Sequence, residues 1–262
     1  MSWRASWLIP WHIPWRTHWR IWRGVLRSLR IYYGNRSQRA AMDRLYGEFV
    51  RAGDLVFDVG AHVGDRVGSF RRLGARVVAV EPQPQLVKTL KLLYGRDRNV
   101  IIEPVAIGRE SGTVALKLNI DNPTVSTASD AFVRAADGAP GWENQAWTET
   151  IEVPLTTLDV LIERHGPPAF IKIDVEGFEV EALAGLSRAV QALSFEFTTI
   201  QRDVALGCLA RCTARGYQHY KAALGESHTF VEERWQTSDE IARWLKELPV
   251  EANSGDIYAA LD

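Results

Sequence analysis

The sequence predicts an α/β protein, built on a largely parallel sheet with helices on both faces. Three observations predict it. From residue 54 onward, short apolar runs alternate with helical stretches, the pattern of repeated β-α-β units. The first run ends in a glycine-containing turn, Asp58-Val59-Gly60-Ala61-His62-Val63-Gly64. The second ends in an acid, Glu81, about 20 residues further on.

The elements follow in order. A strand is expected at 55–59, a helix at about 66–73, a strand at 76–80, a helix at 84–94 and a strand at 100–105. An additional strand-like segment covers 112–119. Residues 120–150 lose periodicity around Pro123, Gly138, Pro140 and Gly141, so they read as a functional loop. The alternation resumes with a helix at 156–164, a strand at 170–175, a helix at 178–190 and a strand at 193–198. A helix at 202–214, a strand at 217–223, a helix at 238–247 and a strand at 256–261 complete the chain.

The 262 residues suffice for one sizeable core, and 46% hydrophobic with 24% charged residues is a globular composition. Charge is distributed unevenly. Residues 1–42 hold eight of the 31 basic residues, all arginine, and no acid. That leaves 23 basic against 32 acidic residues, a body charge of about −9. An acidic body disfavours nucleic acid as substrate, because cationic contacts to phosphate supply most of that affinity.

The first segment also repeats tryptophan, at Trp3, Trp7, Trp11, Trp15, Trp19 and Trp22, with Pro10 and Pro14 interrupting any helix before residue 15. From 15 to 30 a helix can place Trp15, Trp19, Trp22, Val25, Leu26 and Leu29 on one face and arginines on the other. Tryptophan with arginine suits a headgroup interface, so one reading of residues 1–30 is a membrane-surface or partner-docking segment. The other is an arm that packs on its own domain or a second subunit of a homo-oligomer. No run reaches the ~20 apolar residues of a membrane span, and no uninterrupted apolar stretch marks a secretory signal. Cys208 and Cys212 read as small apolar residues on a buried helix face. A cytoplasmic protein, with peripheral membrane contact under the first reading, is the expectation.

Ligands of a parallel sheet sit at the carboxyl ends of its strands. Gly60 and Gly64 let a ligand approach the backbone, although glycine also serves a tight turn, and Asp65 is placed to cap the next helix. Glu81 is placed to accept hydrogen bonds from ribose hydroxyls. A dinucleotide site needs a glycine where His62 stands, and Asp58 would lie beside a pyrophosphate. A sulfonium cofactor with a cationic amino group suits that carboxylate, which favours S-adenosylmethionine over NAD. In the run 170–179, Lys172, Asp174 and Glu176 alternate on one face of a buried strand, with Glu179 opening a helix and Glu196 on a later strand. Such a cluster is either used chemically or is an internal ion pair holding the sheet.

These segments, with Glu81-Pro82, Ile171-Lys172-Ile173-Asp174-Val175-Glu176-Gly177-Phe178-Glu179 and Gly255-Asp256-Ile257-Tyr258-Ala259, resemble the FkbM methyltransferase family over about residues 50–261. The resemblance implies a class I methyltransferase (Rossmann-like) fold, with a seven-stranded, mostly parallel sheet and an antiparallel last strand. It divides the chain into an arm, 1–42, and a methyltransferase domain, 43–262. It implies methyl transfer to a hydroxyl of a sugar, glycan or natural product. Asp58, Gly60, Ala61, His62 and Gly64 would then hold the amino-acid end of the cofactor, and Glu81 its ribose, with Pro82 and Ala106 alongside. The family often has Asn where His62 stands. Asp174, Glu176 and Glu196 are the candidate bases, His62 the alternative, and Lys172 the residue that orients them. Asp174 and Glu176 can also hold Mg²⁺, and metal dependence stays open. Ser126, Thr127, Trp142 and Trp147 are the candidate acceptor contacts. An idle cofactor- or partner-binding module and an NAD-dependent oxidoreductase are the competing functions.

Overall fold

The computed structural model describes residues 15–261. Among the described residues, ten strands fall into two sheets. Seven form the main one: β1 (Leu55–Val59), β2 (Arg76–Val80), β3 (Val100–Glu103), β7 (Phe170–Ile173), β8 (Ala192–Thr198), β9 (His219–Leu224) and β10 (Ser254–Ala260). They lie in the order β3-β2-β1-β7-β8-β10-β9. The first five run parallel, while β10 is antiparallel to both neighbours. The expected seven strands and antiparallel last strand are therefore present, forming a class I methyltransferase fold. The chain leaves β1 towards β3 and returns on its other side at β7. That reversal opens a crevice beyond the carboxyl ends of β1 and β7.

Every residue of β1 and of β7 is buried, as expected of central strands covered on both faces. One face packs on α6 (Leu158–His165), α7 (Glu179–Ala184), α8 (Arg202–Ala214) and α9 (Ser238–Glu247). The other packs on α2 (Arg36–Tyr46), α3 (Asp65–Arg72) and α4 (Pro84–Tyr94). Cys208 and Cys212 are free and buried in the first layer, as expected of small apolar residues.

The departures from expectation have local causes. The third strand stops at Glu103, and β4 (Ala106–Ile107) joins a second sheet ordered β4-β6-β5. In that sheet β5 (Gly112–Leu118) pairs antiparallel with β6 (Glu149–Thr156). Pro154 concealed β6 from sequence reading, although Ile151, Val153 and Leu155 alternate correctly. The 120–150 stretch is less irregular than expected, since it holds a short 3-10 turn, Pro123–Val125, and α5 (Asp130–Ala136). The helix expected at 178–190 ends at Ala184. Gly185 follows, where an added Cβ would lie 2.2 Å from the Gly108 carbonyl oxygen.

Upstream, α1 (Trp15–Tyr33) is packed on the domain. Val25 is buried with Val63 and Leu86, and Leu29, Tyr32 and Tyr33 join them. The single face expected for Trp22, Val25, Leu26 and Leu29 splits: Trp22 and Leu26 are 41% and 59% exposed, whereas Val25 is 1% exposed. Consecutive residues stand 100° apart on a helix, so Val25 and Leu26 cannot share the centre of one face. The division at 42–43 falls inside α2, whose Met42, Leu45 and Tyr46 belong to the core of the sheet. The expectations for Trp3, Trp7, Trp11, Pro10 and Pro14 lie outside the described residues. Among the described residues, no helix is long and apolar enough to cross a membrane.

Lys172 is the exceptional residue of the core. On β7 it is 0% exposed, and its ammonium reaches past β8 to Asp256 on β10 and lies 3.3 Å from Asp174. Burial opposes its charge, but the two carboxylates prevail and hold its pKa well above the ordinary lysine value. Replacing Lys172 by Met leaves the buried Asp256 without its cation and Asp174 with Arg66 alone, 3.9 Å away. Urea denaturation of the Lys172→Met variant is expected to show a loss of about 3–5 kcal/mol.

Candidate functional site

A cavity of about 320 Å³ opens at the crevice, within the range of small-molecule sites. It is walled by the ends of β1, β2, β7 and β8, by Asn122, Thr124, Val125, Ser126 and Ala128, and by the turn before β10.

The loop after β1 is built to bring its backbone to this cavity. Gly60 has φ +85°, and a Cβ there would lie 1.8 Å from the Asp174 carbonyl oxygen, so only glycine fits. The amides of Gly60 and Ala61 both donate to the Val80 carbonyl, at 2.9 and 3.0 Å, which ties the loop to β2. His62 follows in the left-handed region, φ 48°. Asn and His are among the few side chains enriched in that conformation, which accounts physically for either residue here. Its ring stands edge-on to Tyr32, 5.6 Å between centroids, and its Nε2 lies 3.4 Å from the Thr124 hydroxyl. Burial pushes the imidazole pKa down to about 4, so His62 is neutral at physiological pH.

Glu81 forms the facing wall, 2% exposed. Its Oε2 accepts the His62 amide at 3.0 Å and its Oε1 the Gln83 amide at 2.8 Å. Each oxygen keeps a lone pair for a further donor. Burial outweighs the two amides and raises this carboxyl to about 8. Pro82, Val105, Ala106 and Ile107 make the adjoining wall apolar. A flat aromatic base against that wall, with hydroxyls directed at Glu81, fits the adenosine part of S-adenosylmethionine.

The third wall carries acids. Asp174, Glu176 and Glu196 bring one oxygen each within 4.8 Å of the others. The Asp174 amide donates to the Val59 carbonyl at 2.9 Å, anchoring the end of β7 to β1. Burial would raise the Asp174 pKa, but Lys172 and Arg66 outweigh it and hold the carboxyl ionised, below its ordinary range. Glu196 hydrogen-bonds Asp174, and burial with the Asp174 charge pushes Glu196 well up. Glu176 is raised for the same reasons, burial first and then Asp174 and Glu179. Its backbone is left-handed, φ 55°, and its Oε2 is buried without a hydrogen-bond partner. Glu179 serves the turn: one oxygen accepts the amides of Val175 and Gly177, at 3.0 and 3.2 Å.

Of the remaining expected contacts, Ser126 and Trp142 reach the cavity. The Trp142 indole N–H is buried and lacks an acceptor. Asp58, Ala61, Gly64, Lys172, Thr127 and Trp147 do not line the cavity. Asp58 is fully buried, both oxygens lack a hydrogen-bond partner, and burial raises it to about 7. Gly64 packs towards Leu90 and Tyr94. The Thr127 hydroxyl donates to the Glu176 carbonyl at 2.6 Å, and the Trp147 indole donates to the Val125 carbonyl at 2.8 Å. Both therefore shape the walls from behind.

Sequence reading missed Arg66, Tyr32, Thr124, Gln145 and Glu226, all of which line the cavity. Arg66 ion-pairs with Asp65 at 3.1 Å and Glu226 at 3.0 Å, and lies 3.9 Å from Asp174. A cation in the first turn of α3 opposes the helix dipole, and that signal was available in the sequence. Tyr32 and Glu226 come from segments without motifs.

The model of the methyltransferase FkbM domain matches residues 58–249. The hexuronic acid methyltransferase AglP of Haloferax volcanii is 25% identical over 186 residues, covering 70% of this chain and 71% of AglP. The TehB-like SAM-dependent methyltransferase of Corynebacterium glutamicum superposes with a TM-score of 0.47 at 14% identity, covering 95% of this chain and 99% of that one. An O-methyltransferase from Bacillus cereus in complex with SAH gives 0.46 at 11% identity, over 98% and 94%.

Ribose hydroxyls donate best to an ionised Glu81, so protonation of Glu81 competes with cofactor. Calorimetry should show S-adenosylmethionine affinity falling as pH drops below about 8 and level above it. Glu81→Gln should weaken binding by about 10–100-fold, the cost of lost hydrogen bonds to a charged group, and flatten the pH dependence.

Proposed function

This chain belongs to the FkbM methyltransferase family, a family of S-adenosylmethionine-dependent enzymes, and we propose that it methylates a hydroxyl of a sugar or glycan. One observation carries the reading: Glu81 and the ionised Asp174 face a single cavity, so a ribose-binding acid and a proton acceptor share it. AglP, by its name a methyltransferase acting on a hexuronic acid, supports a saccharide acceptor. A neutral hydroxyl suits this cavity better than a carboxylate, because Asp174 and Glu226 already line it as anions.

S-adenosylmethionine, when bound, supplies a methyl carbon made electrophilic by its sulfonium. The protein must align the acceptor oxygen and take its proton. Asp174 is the group placed for this: it is ionised, 21% exposed in its side chain, and fixed by Lys172. Burial and the Asp174 charge push Glu196 and Glu176 well up, which favours their protonated forms, and Glu196 hydrogen-bonds Asp174. The free Trp142 N–H offers a further hydrogen bond to a saccharide oxygen, with the indole face as a stacking surface. Thr124 and Gln145 line the same pocket and complete a polar rim for hydroxyls.

The carboxyls of Asp174, Glu176 and Glu196 are close enough to share Mg²⁺. The cluster fits carboxyl–carboxylate hydrogen bonding, as between Glu196 and Asp174, better than a metal. Lys172 and Arg66 already lie 3.3 and 3.9 Å from Asp174, and two cations at that range oppose a third.

Production of S-adenosylhomocysteine with neutral saccharide acceptors is the direct test; no turnover with any hydroxylated acceptor would sink the reading. Asp174→Asn is expected to lower kcat by about 10²–10⁴-fold, the usual contribution of a positioned base. Cofactor affinity should change much less. Steady-state rates in EDTA should match those in Mg²⁺, and a rate abolished by the chelator and restored by the ion would assign the cluster to a metal instead.

A further inference from the structure

The outward face of α1 is a surface the reaction does not use, and we propose that it seats this protein on an anionic lipid bilayer. Packing divides the helix cleanly. Val25 and Ser28 are buried, 1% and 4% exposed, and turn the opposite side to solvent. There Trp22, Leu26 and Ile31 are 41%, 59% and 53% exposed, and Arg23, Arg27 and Arg30 are exposed with them. At 100° per residue the three arginines form one band, bordered by Trp22 and Leu26 on one side and Ile31 on the other. The helix contains no acidic residue. Among the described residues, no carboxylate ion-pairs with these three arginines. Guanidinium groups flanked by tryptophan and aliphatic side chains match the phosphate and upper acyl layers of a membrane interface.

Charge complementarity selects this occupant and sets the orientation. Residues 1–42 are wholly cationic in their charges, whereas the rest of the chain sums to about −9, so an anionic surface attracts α1 and repels the body. The face is also rigidly presented. A Cβ on Gly24 would lie 2.8 Å from Pro123 Cδ, so the helix backbone sits directly on the Pro123–Val125 turn. At its other end the Tyr33 hydroxyl donates to the Val63 carbonyl at 3.1 Å and lies 2.8 Å from the Tyr94 hydroxyl. Tyr32, on the same helix, lines the cavity. A docked α1 therefore holds the cavity beside the bilayer. Joined to the proposed reaction, and only then, this implies an acceptor carried at the lipid surface; the docking itself does not rest on that reading.

The test is co-sedimentation of the full chain with vesicles of phosphatidylglycerol in phosphatidylcholine and of phosphatidylcholine alone. The expected result is binding to the anionic vesicles, released by salt. The R23E/R27E/R30E variant should bind at least about a hundredfold more weakly, from the attraction that each arginine contributes near such a surface and the repulsion that each glutamate adds. Trp22→Ser combined with Leu26→Ser should weaken binding several-fold and reduce the tryptophan fluorescence shift on binding. Near-ultraviolet circular dichroism reports that each variant is folded, whether or not cofactor binds. Equal binding to both vesicle types, or undiminished binding by the triple arginine variant, would overturn the proposal. So would absence of vesicle binding together with a self-association that the triple variant dissolves, which would assign the face to a second copy of the chain.

Discussion

One buried ammonium group holds the crevice together. Lys172 sits on a central strand with no solvent contact, and its charge is tolerable only because Asp256 and Asp174 lie against it. Through Asp256 it ties the antiparallel strand β10 to the parallel half of the sheet. Through Asp174 it fixes one carboxylate as ionised, and that charge adds to burial in pushing the neighbouring Glu196 and Glu176 upward. The sequence-level alternatives for this cluster, an ion pair holding the sheet or a set of working groups, are not exclusive. The strut and the candidate base share one carboxylate.

The cavity joins two kinds of construction. The half that fits the cofactor is backbone-defined: a glycine where no side chain fits, a loop tied by two amides to Val80, and an acid whose oxygens are aimed by the amides of His62 and Gln83. The half proposed for the acceptor is side-chain-defined, by Asp174, Thr124, Trp142 and Gln145 on segments of different origin. A backbone cradle tolerates little change, whereas side chains on loops can be exchanged without disturbing the sheet. The same division separates cofactor, which the family holds in common, from acceptor.

That division also explains what the sequence revealed. Strand–helix alternation, Gly60, Glu81 and the alternating acids from Lys172 to Glu176 are local patterns, and local patterns survive in a linear text. The boundaries failed where a single residue overrode a pattern, as Pro154 did in β6 and Gly185 did after α7. The contributions of Tyr32 and Glu226 depend on contacts between distant segments, and nothing in their neighbours announces them. Asp58 and Gly64 show the converse case. Their positions in a motif suggested ligand contact, yet neither lines the cavity: Asp58 is fully buried with both oxygens unpartnered, and Gly64 lies against Leu90 and Tyr94.

The match to the family domain covers residues 58–249, but the cavity takes Tyr32 from upstream of it and Asn253 and Ser254 from downstream. Part of the wall thus lies outside the inherited unit. Two chains with the same motifs can then enclose differently shaped spaces wherever such flanking segments differ. Family membership fixes the methyl donor; the flanks are free to redraw the room left for the recipient.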